Sequence, residues 1–206
     1  MASKDPGAKT SSLRSTAVDP IATPTYPTGV LFTVLTTTTI RAPLSSVLEL
    51  SLETSSWPTW NPFVPRANII SQPATSSSSS TKLEVGTKAT FHSRMKRDGP
   101  PSSAYSDHEV VSIDRYEKEG AQGWSIVWKT IGIPGGDWIL RTERVQEMIE
   151  RKEEDGSTVV EYKTWGTFGG PMAYMLSFSG TKNDIVDRFE DWARGLKEHA
   201  EHKGHQ

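Results

Sequence analysis

Three titratable side chains in this sequence have the chemistry for acid–base work or for binding an anion: Arg144, Tyr162 and His92. Arg144 is two residues from Thr142, so both side chains would leave the same face of a strand. If that face points inward, the guanidinium would anchor a carboxylate or an enolate. The alternative is a solvated arginine that pairs with a neighbouring strand in a Glu-rich segment.

Other residues of catalytic type are not expected to converge. In Asp107-His108-Glu109, adjacent strand residues face opposite sides of a sheet, so His108 would not meet either carboxylate. His199, His202 and His205 are spaced three apart near the chain end, where helical neighbours could share a metal. We favour a solvated tail there and predict no metal and no cofactor. No GxSxG, HExxH or phosphate-cradling glycine loop is present.

Composition excludes several classes of function. The chain has 206 residues, a formal net charge of −2 and no cysteine, so disulfides and Cys-based zinc sites are excluded. The absence of a basic stripe argues against a nucleic-acid partner. No apolar run is long enough to span a membrane, so stable membrane insertion is not expected. We expect a cytoplasmic protein. The alternative is a mitochondrial presequence carrying Lys4, Lys9 and Arg14, which Asp5 and Asp19 oppose.

Hydrophobic patterning predicts an α+β domain. Residues 1–27 are rich in Ser, Thr, Pro, Ala and Gly and are expected to form a disordered tail. A helix is expected to begin at Pro43, and the Pro-rich segment 57–65 suggests a short helical turn. The Ser-rich segment 72–81 reads as a flexible loop. Seven strands, joined mostly by short turns, are predicted at about 29–40, 66–71, 85–95, 105–116, 123–131, 138–149 and 158–168.

The last quarter of the chain predicts one long amphipathic helix from Thr181 to about 202, after an apolar glycine-hinged loop at 169–180. Ile185, Phe189, Trp192, Leu196 and Ala200 recur at helical spacing on its buried face. Its opposite, polar face carries Asp187, Arg188, Glu190, Asp191, Arg194, Lys197 and Glu198. Residues 203–206 are expected to be a tail.

Together these elements resemble the SRPBCC superfamily, the START/Bet v 1-like or helix-grip fold, over residues 28–202. The resemblance rests on Ile40-Arg41-Ala42-Pro43, on Trp57-Pro58-Thr59-Trp60-Asn61-Pro62, on the stretch from Tyr162 to Pro171, and on the terminal helix. It implies a seven-stranded antiparallel sheet curled around the C-terminal helix, with a hydrophobic ligand between them. The Ser-rich loop is longer than in many small members, and no cyclase-type Arg or Tyr matches a defined position.

The candidate ligand-binding residues are mostly aromatic, because rings line cavities and cores alike. Trp124 and Trp128 would share one strand face. Met172 and Met175 would belong to an adaptable lid, or to a static connection under the helix. Asn61 would offer an amide at the cavity mouth, or would satisfy local backbone groups. The full set is Trp60, Asn61, Phe63, Phe91, Trp124, Trp128, Arg144, Tyr162, Trp165, Phe168, Met172, Met175 and Phe189.

Three functional hypotheses follow. The first is binding of one hydrophobic small molecule, such as a lipid, sterol, quinone or polyketide-like compound, in a cavity between sheet and helix. The second is a cyclase, aromatase or dehydratase that acts on a polyketide-like substrate in the same cavity, through Arg144, Tyr162 or His92. The third is a protein-interaction module, which a filled interior would favour. The sequence leaves the oligomeric state open.

Overall fold

A computed structural model describes residues 12–77, 79–97 and 104–203 of the chain. The turn predicted at 98–101, residues 1–11 of the tail and His205 lie outside the described residues. The strands are β1 (Arg14–Val18), β2 (Val30–Ile40), β3 (Arg66–Ser71), β4 (Lys88–His92), β5 (Tyr105–Lys118), β6 (Ala121–Ile131), β7 (Arg141–Lys152) and β8 (Thr158–Gly169). The helices are α1 (Leu44–Leu52), α2 (Trp57–Trp60), α3 (Pro171–Phe178) and α4 (Thr181–Lys203).

The strands form one antiparallel sheet in the order β1-β2-β8-β7-β6-β5-β4-β3, curled around α4. This is the α+β helix-grip architecture that the sequence predicts. We call the face toward α4 the concave face. Short turns join the consecutive strands β5 to β8, which is why they are neighbours in the sheet.

The core lies between the concave face, α1, α2 and the C-terminal half of α4. Trp57, Trp60 and Trp128 surround Trp192 of α4, with ring centroids 5.1, 5.2 and 5.8 Å from it. Trp57 and Trp192 are completely buried. Edge-on aromatic contacts of this kind add to the hydrophobic gain of burying the rings.

The first correction concerns the N-terminal tail, because residues 14–18 form an eighth strand. Ser15 Oγ hydrogen-bonds Thr36 Oγ1 at 2.8 Å and donates to the carbonyl oxygen of Val186 at 2.9 Å. Farther along, Thr25 N donates to the buried carboxylate of Glu143. The segment is therefore held largely by hydrogen bonds to an otherwise open sheet edge. Its polar composition does not reveal this role.

A second correction concerns residues 169–180, which contain helix α3 and not only a loop. Gly170 has φ +82°, a left-handed conformation that glycine adopts readily, and Pro171 follows at the first helical turn. Helix α3 buries Ala173 against the sheet. Met172 and Met175 point largely to solvent.

The third correction concerns the polar face of α4, where Arg188 and Asp191 are buried. Arg97, which follows β4 in the chain, reaches the helix there, and its Nη2 lies 2.6 Å from Asp191 Oδ1. Arg188 forms an ion pair with the same carboxylate. Periodicity within α4 cannot reveal a segment from elsewhere in the chain that covers its polar face.

Gly195 sets the distance between α4 and α2. A Cβ atom at this position would lie 1.9 Å from the carbonyl oxygen of Trp60, so only glycine fits. We expect Gly195→Ala to lower the free energy of unfolding by about 1–3 kcal/mol, because overpacking against backbone is not easily relieved. This loss would exceed the gain of about 1 kcal/mol in helix propensity. Urea denaturation measures it.

Arg194→Ala is the matched control, since Arg194 is exposed and pairs only with Glu190 on the same helix among the described residues. Its free energy of unfolding should stay within about 0.5 kcal/mol of wild type. Equal stability of the Gly195→Ala variant and wild type would contradict the close packing of α4 on α2.

Candidate functional site

A cavity of about 220 Å³ lies between the concave face and the N-terminal half of α4. Its walls are mainly aromatic and aliphatic, which makes it suitable for an apolar molecule. Residues of β4 to β8, the β6–β7 turn, α3 and α4 contribute. Those that the argument uses are Phe91, Ser106, His108, Trp128, Thr130, Thr142, Arg144, Phe168, Ile185, Phe189 and Trp192.

Arg144 projects from β7 into this cavity and is 7% exposed. Its Nε donates to Thr164 Oγ1 at 3.0 Å. The guanidinium carbon lies 4.4 Å from the ring centroid of Phe189 and 4.3 Å from that of Trp192. Arg144 is therefore held by two aromatic faces of α4, an arrangement in which cation–π attraction is strongest because water is excluded.

No carboxylate among the described residues balances the charge of Arg144. Its buried Nη2 has no hydrogen-bond partner there, and Tyr162 lies within hydrogen-bonding reach of the guanidinium. Burial lowers the pKa of Arg144 to about 10, and interaction with Tyr162 opposes that shift. The group still carries its proton at neutral pH. A desolvated cation with an unmet donor is a site that an anionic or carbonyl oxygen would satisfy.

His108 on β5 is the second polar group of the cavity. Its Nε2 shares a hydrogen bond of 2.8 Å with Ser106 Oγ, and its ring stacks on Phe91 at 4.4 Å. Its Nδ1 is buried and has no partner among the described residues. Burial, followed by the charge of Arg144, lowers the pKa of His108 to about 3, against the opposing effect of Asp107. The imidazole is therefore neutral at physiological pH.

Six of the thirteen residues selected from the sequence line the cavity: Phe63, Phe91, Trp128, Arg144, Phe168 and Phe189. Thr142 joins Arg144 there, as their shared strand phase predicts. Arg144 is not the solvated cross-strand partner of the alternative interpretation.

Three other candidates belong to the packed core. Trp60 packs on Trp192. Asn61 Oδ1 accepts hydrogen bonds from the backbone N–H groups of Phe63 and Val64. Asn61 therefore satisfies local backbone groups, which was the alternative interpretation, and does not present its amide at the mouth of the cavity. Tyr162 donates to Gln146 Oε1 in the core, and burial raises its pKa.

The remaining four candidates lie outside the cavity. Trp124 shares the concave face with Trp128, as predicted, but stands near the far end of β6 beneath Arg115. Trp165 packs with Val127 and Val145 on the convex face. Met172 and Met175 of α3 are exposed, whereas Leu176 of the same helix reaches the cavity.

Sequence reasoning missed His108 and Ser106. It predicted that His108 does not converge with Asp107, and this is confirmed, since Asp107 accepts a hydrogen bond from Thr90 Oγ1 on the neighbouring strand. The same alternation puts Ser106 and His108 on one face. The signal was therefore present, but nothing in the sequence shows that this face is the concave one. His92 bonds Asn68 outside the cavity.

The described residues contain no group of three or more His, Cys, Asp or Glu side chains that could hold a metal ion. No helix in the described part of the chain is long and apolar enough to cross a membrane. Side chains of the described residues leave this cavity unfilled. The structure therefore does not favour the interaction module, for which a filled interior was expected.

No known protein-family profile matches this chain. The oxopyrrolidines biosynthesis cluster protein O of Penicillium oxalicum is 34% identical to it over 172 residues, which are 79% of this chain and 84% of that protein. The chain belongs to the family of that protein.

Similar solved structures are more distant in sequence. A hypothetical protein from Helicobacter pylori superposes with a TM-score of 0.60 at 16% identity, over 81% of this chain and 86% of its own. A START superfamily protein from Mycobacterium smegmatis gives a TM-score of 0.49 at 15% identity, over 83% and 98%. The Helicobacter pylori protein therefore shares the fold of this chain. The helix-grip architecture that the resemblance implies is confirmed.

The low pKa of His108 predicts a specific loss of stability in acid. An unfolded histidine titrates near 6.5, whereas the folded pKa is about 3. Between these values the unfolded chain binds one more proton, so the free energy of unfolding falls by about 1.4 kcal/mol per pH unit as pH falls. Urea denaturation from pH 7 to pH 4 should show this slope in wild type. In His108→Phe the dependence of stability on pH should be weaker by this contribution.

His92→Phe serves as the control, because it removes a histidine outside the cavity and leaves His108 in place. Its dependence of stability on pH should still contain the His108 contribution. Parallel pH profiles for wild type and His108→Phe would show that His108 is not held neutral by the fold.

Proposed function

We propose that this protein binds a small apolar molecule in the cavity between the sheet and α4, and that Arg144 holds an acidic or strongly polarised oxygen of that molecule. The observation that carries the proposal is the buried guanidinium, which has an unmet donor and no carboxylate partner among the described residues. A ligand oxygen would supply both the missing hydrogen bond and the missing negative charge.

The surroundings of Arg144 support a ligand that is apolar apart from this end. Phe168, Phe189 and Ile185 line the space beside the guanidinium. Burying an apolar body against them contributes about 25 cal/mol per Å² of area removed from water. The ion-pairing end would add about 1.5–3 kcal/mol as a hydrogen bond to a charged group, and it would orient the molecule.

The size of the cavity ranks the ligand classes. A volume of about 220 Å³ lies below the range of about 300–1,000 Å³ that is usual for drug-sized molecules. A compact quinone or an aromatic polyketide-like acid matches this volume better than a sterol or a phospholipid, which would need α3 or α4 to move. We therefore favour a molecule of one or two rings.

An enzyme of the cyclase, aromatase or dehydratase type is the second candidate, and two observations favour it. A cation and a neutral imidazole, Arg144 and His108, line one cavity, and general acid–base catalysis needs such groups beside the substrate. The Penicillium relative is named for a biosynthesis cluster. Of the three residues first considered for catalysis, only Arg144 lines the cavity. Metabolite profiles of a gene-deletion strain, complemented with wild type or Arg144→Met, would reveal such an activity.

Arg144→Met tests the binding proposal, because methionine is apolar and removes the charge. We expect wild type to bind 2-naphthoic acid more tightly than uncharged 2-methylnaphthalene. The variant should bind the acid about 10- to 100-fold more weakly, since it loses a hydrogen bond to a charged group. Its affinity for 2-methylnaphthalene should change little. Isothermal titration calorimetry measures both affinities.

Arg115→Met is the matched control, because Arg115 also contacts a tryptophan, Trp124, but lies outside the cavity. It should bind both probes as wild type does. Native mass spectrometry of protein purified from its own source provides an independent check. Protein that carries no ligand, and that binds neither probe nor sterols, fatty acids and aromatic polyketides, would contradict the proposal.

A further inference from the structure

His108 and Arg144 lie across the cavity floor from one another. In the sheet register His108 pairs with Thr130 of β6, whereas Arg144 pairs with Trp128 of the same strand. The two residues thus lie two strands apart and are offset by two positions along the strands. Their backbones are therefore roughly 12 Å from each other. Both side chains line the same cavity, so a small ligand can meet both.

The imidazole is fixed in place but one of its nitrogens is unused. Stacking on Phe91 at 4.4 Å and the hydrogen bond between Nε2 and Ser106 leave the ring little freedom. Nδ1 is buried without a partner among the described residues. A buried polar atom without a hydrogen bond is costly. His108 lines the cavity, and a ligand oxygen that reached Nδ1 would remove that cost.

Polar groups continue from His108 toward Arg144. Thr130 of β6 and Thr142 of β7 also line the cavity. Thr130 is the register partner of His108. Since Lys129 pairs with Glu143, Thr142 lies beside Thr130. The floor therefore carries a polar stripe of His108, Thr130, Thr142 and Arg144 through otherwise apolar walls.

We propose that His108, held by Ser106 and Phe91, is a specificity-determining residue that hydrogen-bonds a carbonyl or hydroxyl group of the ligand at the end away from Arg144. The inference rests on the proposed function and narrows its ligand class. The ligand is a small, rigid, apolar molecule with an acidic or polarised oxygen at one end and a neutral oxygen at the other. The neutral imidazole can serve as donor or acceptor, depending on its tautomer.

The test compares 2-naphthoic acid with its analogues that carry one hydroxyl on the far ring, by calorimetry. Wild type should bind the best hydroxylated analogue about tenfold more tightly than 2-naphthoic acid, the effect of one added hydrogen bond. In His108→Phe, which keeps an aromatic ring beside Phe91, this preference should fall below about twofold. The affinity for 2-naphthoic acid itself should fall less than the affinity for the hydroxylated analogue.

Three further variants separate a role in recognition from a role in folding. His108→Gln retains a donor and an acceptor and should recover part of the preference. His92→Phe makes the same substitution outside the cavity and should leave the preference intact. Arg144→Met should weaken the binding of all the naphthoic acids. Thermal unfolding of each variant verifies that it folds.

Four outcomes would overturn the inference. The first is a preference for the hydroxylated analogue that survives in His108→Phe, and the second is an equal loss of affinity for all probes in that variant. The third is a His108→Phe variant that does not fold while His108→Gln keeps the wild-type preference. The fourth is a wild-type protein that binds 2-naphthoic acid but prefers no hydroxylated analogue. In the last case the anchoring role of Arg144 would stand alone. A wild-type protein that binds no naphthoic acid would reject the inference and the proposed function together.

Discussion

The seating of α4 on the sheet is the constraint on which the rest of the structure depends. The C-terminal half of the helix packs directly, through Ala193, Leu196 and Ala200, into the main core, and Gly195 touches the backbone of Trp60. The N-terminal half carries larger side chains, Ile185 and Phe189, which line the cavity. One helix therefore closes the core at one end and leaves a hollow at the other.

Arg144 places a buried positive charge in this cavity. The fold offers the guanidinium a threonine hydroxyl and two aromatic faces but no carboxylate among the described residues. Cation–π contacts of about 2 kcal/mol in a desolvated setting offset part of the cost of burial. An acceptor group of a ligand would relieve the remaining cost, as the proposed function requires.

The N-terminal segment has a different role, since it completes the sheet and covers its convex face. Strand β1 pairs along β2 from Arg14 to Val18, and Ile21 packs with Val127, Val145 and Trp165. Thr25 satisfies the buried carboxylate of Glu143. The convex face thereby becomes a second packed layer. Trp165 of β8, which was predicted to line the cavity, belongs to that layer.

The sequence by itself determined the order of most elements, the long amphipathic helix and the shared strand face of Thr142 and Arg144, because local periodicity follows from the geometry of one strand or one helix. Only the tertiary structure decided which face of each strand is concave, and hence that His108 enters the cavity while Trp165 does not. It also decided that Arg188 is buried, that Arg97 from a distant segment pairs with Asp191, and that residues 14–18 form a strand. These features depend on contacts between residues far apart in the chain, and periodicity in a single segment carries no information about them.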